Sequence, residues 1–331
     1  GISDEESRLN INHASAQEIA RLPGMTESLA AAIVDYRDED DNVSPGGAEA
    51  EDYAAQMPPS LPRNAPFRTV GELRSVLGID LEMFLGEDMN QNGLLDPNEN
   101  DGERSLPLDN RDGRLDSGWS GLVCVHSGVR NVSANGETRV NVQDADESTL
   151  AAVPGLSPEI ARAIVQSRGE NRIESLVDLL NVRPGGGRGR GGGPQNLDLS
   201  GGSPGGSVIS EDLLLNVADQ LTVRSESILQ GVVNINTASV DVLTCLPGMT
   251  PELAGAVANY RSTSGFFDNI AGLLRVPGLS REVFKQLEPR VTARSETFRI
   301  LSEGRVASSG ARKRVEVTVR IGNSFIDTLG Y

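Results

Sequence analysis

The chain has 331 residues, of which 37% are hydrophobic and 4% aromatic, and a formal net charge of -17 from 30 basic and 47 acidic residues. That length holds two or three domains with real cores. The charge disfavours nucleic acid and anionic membranes and favours cations or basic partners, and no apolar run is long enough to span a bilayer.

A block of about thirty residues occurs three times without insertion. It reads RLNINHASAQEIARLPGMTESLAAAIVDYR at 8–37, RVNVQDADESTLAAVPGLSPEIARAIVQSR at 139–168 and VVNINTASVDVLTCLPGMTPELAGAVANYR at 232–261. A Pro-Gly pair follows the first Asn by 13 positions and a terminal Arg follows it by 27, as Asn10, Pro23 and Arg37 show. Ser15, Asp146 and Ser239 precede apolar residues at helical spacing, and Glu18 completes a capping box in the first copy. Pro-Gly then breaks each run, and Thr26, Ser157 and Thr250 cap a second helix. The expected unit is helix, tight hairpin, helix, with Ala30, Ala161 and Ala254 at the closest approach of the two helices.

A second hairpin follows the first. Residues 67–84 (FRTVGELRSVLGIDLEMF) align with 267–284 (FDNIAGLLRVPGLSREVF), and 210–227 completes the corresponding part of the middle copy. The expected organisation is a first repeat at 1–84 with an acidic insertion at 38–66, a loop insertion at 85–118, and a β segment at 119–143. A second repeat follows at 144–223 with a Gly-rich loop at 183–207, then a third at 224–293 and a terminal β-hairpin at 294–331. The Gly-rich stretch reads as a flexible solvated loop, and the acidic run Asp35 to Asp52 as a solvated insertion with occasional cation contact. LVCVHS at 122–127, ETFRILSEGRV at 296–306 and RKRVEVTVRI at 312–321 have strand character. With strand ends from RVNV and VVNIN they predict a small antiparallel sheet fed from several places, hence an α+β fold.

Residues 88–99 (DMNQNGLLDPNE) satisfy every specified position of the pattern D-x-[DN]-x-[DN]-G-x5-E. Asp88, Asn90 and Asn92 would supply side-chain oxygens, Leu94 its backbone carbonyl, Asp96 a direct or water-bridged contact and Glu99 a bidentate one. Such donors suit Ca2+, with Leu95 turned inward to pin the loop. Residues 98–106 carry no helical pattern, which predicts a structural site of about 0.1 to 1 mM affinity rather than a sensor. A partial second loop places Asn110, Asp112 and Asp116 at positions 3, 5 and 9, but Leu108 and Trp119 stand at positions 1 and 12. A second ion would need Asp101 or Asp109 as a substitute.

Catalytic chemistry has little support. His13 and His126, the two histidines, have neither an adjacent nucleophile nor metal-ligand spacing. Cys124 and Cys245 leave a single disulfide open. The hairpins raise a DNA-binding reading, because their DNA-binding forms, as in competence DNA-uptake proteins, offer backbone N-H groups to phosphate. Here PGMT, PGLS and PGMT replace the second Gly of that hairpin, and Glu27, Glu159 or Glu252 stands in the next turn, where it repels phosphate.

The order NINHAS, LPGM and AIVDYRDEDD, then PGGAEAEDY, PPSLPRNAPF and TVGELRSVLGI, ending in FRILSEGRV and RKRVEVTVRI, resembles the general secretion pathway protein K family, the large minor pseudopilins of type II secretion. The resemblance implies helix-hairpin-helix (SAM-like) repeats inserted in a pilin-like scaffold, placed at the tip of a periplasmic pseudopilus with I-type and J-type minor pseudopilins. It implies no enzyme activity. Secreted cargo is a further candidate partner, nucleic acid is not expected, and membrane contact would run through an N-terminal helix anchored in the inner membrane and missing from this sequence. A DNA-uptake protein and a calcium-dependent surface adhesin are the alternatives.

Overall fold

A computed structural model of the chain describes residues 1–184, 207–322 and 326–330. The expected Gly-rich loop at 183–207 falls almost wholly outside them. The three hairpins form as the spacing predicts, from helices Ala16–Ile19 and Glu27–Arg37, Glu147–Ala151 and Pro158–Glu170, and Val240–Cys245 and Pro251–Ser264. Each first helix is capped by its expected residue, Ser15, Asp146 or Ser239, whose side chain accepts from the backbone N-H three positions on. Thr26, Ser157 and Thr250 cap the second helices in the same way. Between the helices Gly24, Gly155 and Gly248 have φ of +68°, +99° and +72°, a left-handed conformation that a side chain would strain. Ala30, Ala161 and Ala254 are fully buried, as close helix approach requires.

The terminal Arg of each block ties its second helix back to the start of the unit. Arg37 donates to the Ala14 carbonyl at 2.5 Å, Arg168 to that of Val142 at 2.8 Å and Arg261 to that of Ile235 at 2.9 Å. The first Asn of each block folds its own backbone into a turn. Asn10, Asn141 and Asn234 each accept through Oδ1 from the N-H two residues on, all at 2.9 Å.

The strand ends of the repeats do not feed one antiparallel sheet. Leu9–Asn10 pairs in parallel with Val123–Cys124, Val140–Asn141 with Leu221–Thr222, and Val233–Asn234 with Val291–Thr292. Each repeat is therefore closed at its base by a two-residue clasp between its first strand and the strand after its second hairpin. These pairings, rather than sheet membership, satisfy the backbone groups at the repeat ends. His126 lies just after one such strand and not within it. Cys124 and Cys245 are buried free thiols, so the open disulfide is not formed.

The antiparallel sheet is built from the two ends of the chain. Its order is Ile2–Asp4, Thr297–Arg305, Arg312–Ile321 and Ile326–Gly330. The register aligns Ile2 with Ile300 and Ile300 with Val317, and Phe298 with Val319. Paired residues share a face, so Ile2, Phe298, Ile300, Val315, Val317, Val319 and Ile321 line one side of the sheet.

The chain resolves into two compact units, which differ from the sequential segments expected. One comprises 1–129, 230–265 and 290–331; the other comprises 130–229 and 266–289. The third repeat thus contributes its first hairpin to the unit that holds the sheet and its second to the other. In that second unit the Asn269 side chain donates to the Leu215 carbonyl at 2.8 Å, and the buried Glu288 carboxylate accepts from Leu176 N at 3.0 Å and from Ser175 Oγ.

Candidate metal centre

The helix Leu81–Leu85, capped by Asp80, leads into the 88–99 loop, which leaves through one helical turn at Pro97–Glu99. No exiting helix follows, as expected. Gln91 and Gly93, at loop positions 4 and 6, have φ of +55° and +67°, and these two turns wind the chain around a common centre. Asp88 accepts from Asn92 N at 2.9 Å and from Gly93 N at 3.0 Å. Asn90 Nδ2 donates to Asp96 Oδ2 at 2.8 Å and to Glu99 Oε1 at 3.3 Å, while Asn92 Nδ2 reaches the same Asp96 oxygen at 2.8 Å. Glu99 Oε2 accepts from Asp96 N at 2.9 Å.

The five side chains expected to bind an ion are therefore brought together. Asp88 and Glu99 are 6% and 1% exposed, a depth at which ionised carboxylates need compensation. Leu94 exposes its side chain, as befits a residue offering only its carbonyl, and Leu95 is half-buried. Asn90 and Asn92 here turn Nδ2 toward the carboxylates, and with each amide rotated to offer Oδ1 the side chains would supply the oxygen donors that suit a hard divalent cation such as Ca2+. From the sheet, Arg314 Nη1 donates to the carbonyls of Asn90 and Gln91, fixing the loop from outside.

The partial loop at 108–119 repeats this backbone, with Arg111 and Gly113 at φ of +58° and +76°. Neither Asp101 nor Asp109 fills its gaps. Asp109 is engaged by the N-H groups of Asp101, Gly102 and Arg111, and Asp101 by Ser105. Asn100 Oδ1 instead accepts from Gly113 N at 3.2 Å, as Asp88 does from Gly93 N, and Glu87 Oε2 accepts from Asp116 N at 3.1 Å, as Glu99 does from Asp96 N. Asn100 and Glu87 thus stand where Leu108 and Trp119 offer nothing. The Trp119 indole N-H is used elsewhere, donating to the Pro23 carbonyl at 2.8 Å.

The acidic insertion is not a solvated loop. Its helix Ala50–Ala54 carries Tyr53, fully buried, with ring centroids of Tyr36 and Tyr53 5.8 Å apart and those of Tyr36 and Phe67 stacked at 5.2 Å. Asn12 holds Phe67 through both its backbone groups, at 2.8 and 2.9 Å. The aromatic residues Tyr36, Tyr53 and Phe67, spread along an otherwise acidic stretch, were the sequence signal for this core. It draws Asp35, Asp38 and Glu49 inward, which charge alone would not predict.

At the hairpins, the positive helix ends are already occupied. Hydrogen bonding to the Ser157 side chain holds the Glu159 carboxyl below its ordinary pKa, and the Thr250 side chain does the same for Glu252. His13 packs its ring against Gly231, where an added Cβ would stand 2.4 Å from the His13 Cβ. Burial depresses the pKa of both His13 and His126.

Residues 7–85, which carry the first repeat and its acidic insertion, match the family model for protein K of the type II secretion system (T2SS). Over those residues the chain is similar to the type II secretion protein K family. Residues 135–184 and 230–292 match the helix-hairpin-helix motif. Among curated proteins, the chain is similar to endonuclease/exonuclease/phosphatase family domain-containing protein 1 of Bos taurus, 27% identical over 206 residues, 57% of this chain and 34% of that protein. It is also similar to ComE operon protein 1 of Bacillus subtilis (strain 168), 30% identical over 73 residues, 22% of this chain and 36% of that protein. The chain thus spans about a third of the length of these relatives. Among solved structures it is similar to the GspK-GspI-GspJ complex from the enterotoxigenic Escherichia coli Type 2 Secretion System, with TM-score 0.40 and 14% identity over 99% of this chain and 76% of that one.

Proposed function

We propose that this chain is a protein K of type II secretion, a minor pseudopilin that caps or primes the tip of the pseudopilus, a noncatalytic role in protein export. The observation that carries this reading is architectural. A sheet made from the two chain ends leaves the helical repeats as an insertion between its strands, so the sheet can dock while the repeats add bulk. The proposed docking face is the apolar side of the sheet, where Ile2 is 73% exposed and Ile326, paired with Ile321, is 67% exposed. Its partners would be I-type and J-type minor pseudopilins, on the periplasmic side of an inner membrane. Among the described residues no helix is long and apolar enough to cross a membrane.

Calcium at 88–99 has a supporting part in this reading. The ion would join carboxylates that otherwise repel, holding the loop against the sheet through Arg314. The reading is tested by mixing the chain with the soluble regions of the I-type and J-type proteins encoded in the same genome and measuring the assembled mass. A stoichiometric complex is expected. The chain remaining alone at tens of micromolar, together with unimpaired export in a strain lacking it, would remove the pseudopilin assignment.

A further inference from the structure

The antiparallel sheet narrows toward one end. Strand Ile2–Asp4 pairs with strand Thr297–Arg305 at Phe298, Arg299 and Ile300, and Gly1 exchanges two backbone bonds with Leu301, at 2.6 and 2.9 Å. On the other side, strand Ile326–Gly330 pairs with strand Arg312–Ile321 only from Thr318 onward. Residues 302–305 and 312–317 therefore continue as a two-stranded ribbon with both edges bare, and every residue from 302 to 313 is exposed. Backbone groups alternate in direction along each strand. Leu301 turns its own toward Gly1 and Val306 donates to Ala311, so Glu303 and Arg305 face one bare edge and Arg312, Arg314 and Glu316 the other.

The ribbon reverses the charge of the chain. Residues 302–314 carry Arg305, Arg312, Lys313 and Arg314 against the single carboxylate of Glu303, in a chain of net charge -17. Arg305 stands directly opposite Arg312 in the register, a like-charge pair that costs stability. Glu303 is shared between Arg312 at 3.8 Å and Arg314 at 3.5 Å, and among the described residues neither Arg305 nor Lys313 has an ion-pair partner. Charge of either sign blunts a bare edge against aggregation, and a carboxylate in place of Arg305 would do so while pairing with Arg312. Blunting alone therefore does not account for the arrangement. A two-stranded ribbon is also marginal in water without a third strand. An acidic strand laid along it offsets both costs.

We propose that the 302–317 ribbon is a docking arm for an extended acidic segment of a protein partner, added as a strand beside residues 312–316. The segment bonds to the outward backbone groups of Arg312, Arg314 and Glu316, and every second side chain, a carboxylate, lies beside Arg312 and Arg314. Arg305 adds its charge on the same face from the next strand. A polypeptide fits better than an anionic lipid surface, because headgroups leave the bare backbone groups unpaired and the net charge of the chain repels the membrane.

The test is fluorescence anisotropy of a labelled decapeptide in which glutamate alternates with threonine, titrated with the full chain at about 0.05 M salt. A second decapeptide alternates glutamate with proline, which keeps the charge and removes half the backbone donors. The chain is also sedimented with phosphatidylglycerol vesicles. The wild type should bind the threonine peptide, and bind the proline peptide at least tenfold more weakly. Arg305→Gln/Arg312→Gln should weaken binding of the threonine peptide at least tenfold, while Arg305→Gln alone should melt at or above the wild-type temperature, because it removes a repelling charge. No binding of the threonine peptide up to about 1 mM chain would overturn the arm. Equal binding of the two peptides, or equal binding by wild type and the double variant, would do the same. So would a lower melting temperature for Arg305→Gln, which would assign that arginine to the fold, or sedimentation with vesicles while the peptide stays free. The probes are peptides and vesicles, so the outcome is independent of whether the chain assembles with pseudopilins.

Discussion

Arg314 donates from Nη1 to the carbonyls of Asn90 and Gln91, both at 2.9 Å, so a sheet side chain grips the turn of the 88–99 loop. The same side chain lies 3.5 Å from Glu303 on the neighbouring strand. Arg314→Ala should therefore leave the sheet intact and weaken calcium binding at the loop. Loss of one charge-assisted anchor is worth on the order of 1 kcal/mol, or several-fold in affinity by titration of the chelator-stripped chain. Unchanged affinity would mean that the loop is organised without the sheet.

Asp88→Ala or Glu99→Ala should lower thermal stability when calcium is present and have a much smaller effect in EGTA. For a dissociation constant of about 0.1 to 1 mM, roughly 5 mM calcium stabilises the native state by about 1 to 2.5 kcal/mol. That increment is what each variant should lose. Equal losses in the two conditions would show that the carboxylates serve the fold alone.

Stability should fall as pH rises from mildly acidic to mildly alkaline. Burial raises Glu6 from 4.5 to about 8, against the pull of hydrogen bonds from Gly128 and Thr297. Burial likewise raises Glu288 to about 7, against its bonds to Ser175 and Leu176. The native state holds these protons more tightly than the unfolded chain does, so the contribution is full below the ordinary value. It is lost as pH passes through the raised ones. Melting in EGTA from about pH 5 to about pH 8 should show the decline, and Glu6→Gln should flatten it. A slope unaffected by that substitution would assign the decline to other groups.

Arg168→Met should destabilise the second repeat. It removes the bond to the Val142 carbonyl at 2.8 Å while keeping an apolar stem. A cost of about 1.5 to 3 kcal/mol is expected for a partly buried charged donor, read from denaturant midpoints. A change below about 0.5 kcal/mol would show that the capped helices hold the hairpin by themselves.

Ile326→Asp should abolish assembly with the partner pseudopilins without lowering the melting temperature, since the side chain is 67% exposed. Duplex DNA, by contrast, should migrate unretarded with the wild-type chain at about 0.15 M salt, because Thr26, Ser157 and Thr250 already cap the positive helix ends of the three Pro-Gly hairpins. Retardation that disappears on mutating the hairpins would favour a DNA-uptake role.

Local chemistry was legible in the sequence. Caps, Pro-Gly breaks and buried alanines depend on neighbours a few residues away, and Ser15, Thr26 and Ala30 stand where spacing puts them. The clasps were not legible, because strands of two residues, such as Leu9–Asn10 and Val123–Cys124, carry no periodicity and meet across most of a repeat. At the candidate centre the 88–99 loop followed from its spacing. Glu87 and Asn100 escaped notice because they serve the 110–116 turn from outside it. The Asp35 cluster was hidden for a different reason: composition marks acids as surface residues, whereas the aromatic side chains beside them decide their burial.

The two-residue clasps bear on how such a protein can vary over generations. A segment whose ends are fastened can lengthen at small entropic expense, about 0.6 kcal/mol for each doubling. The first repeat holds the 38–66 and 85–118 segments between Leu9–Asn10 and Val123–Cys124, and that pairing remains in register. The chain can therefore acquire outward-facing segments one at a time, each screened for what it touches, while the buckle beneath is inherited unchanged.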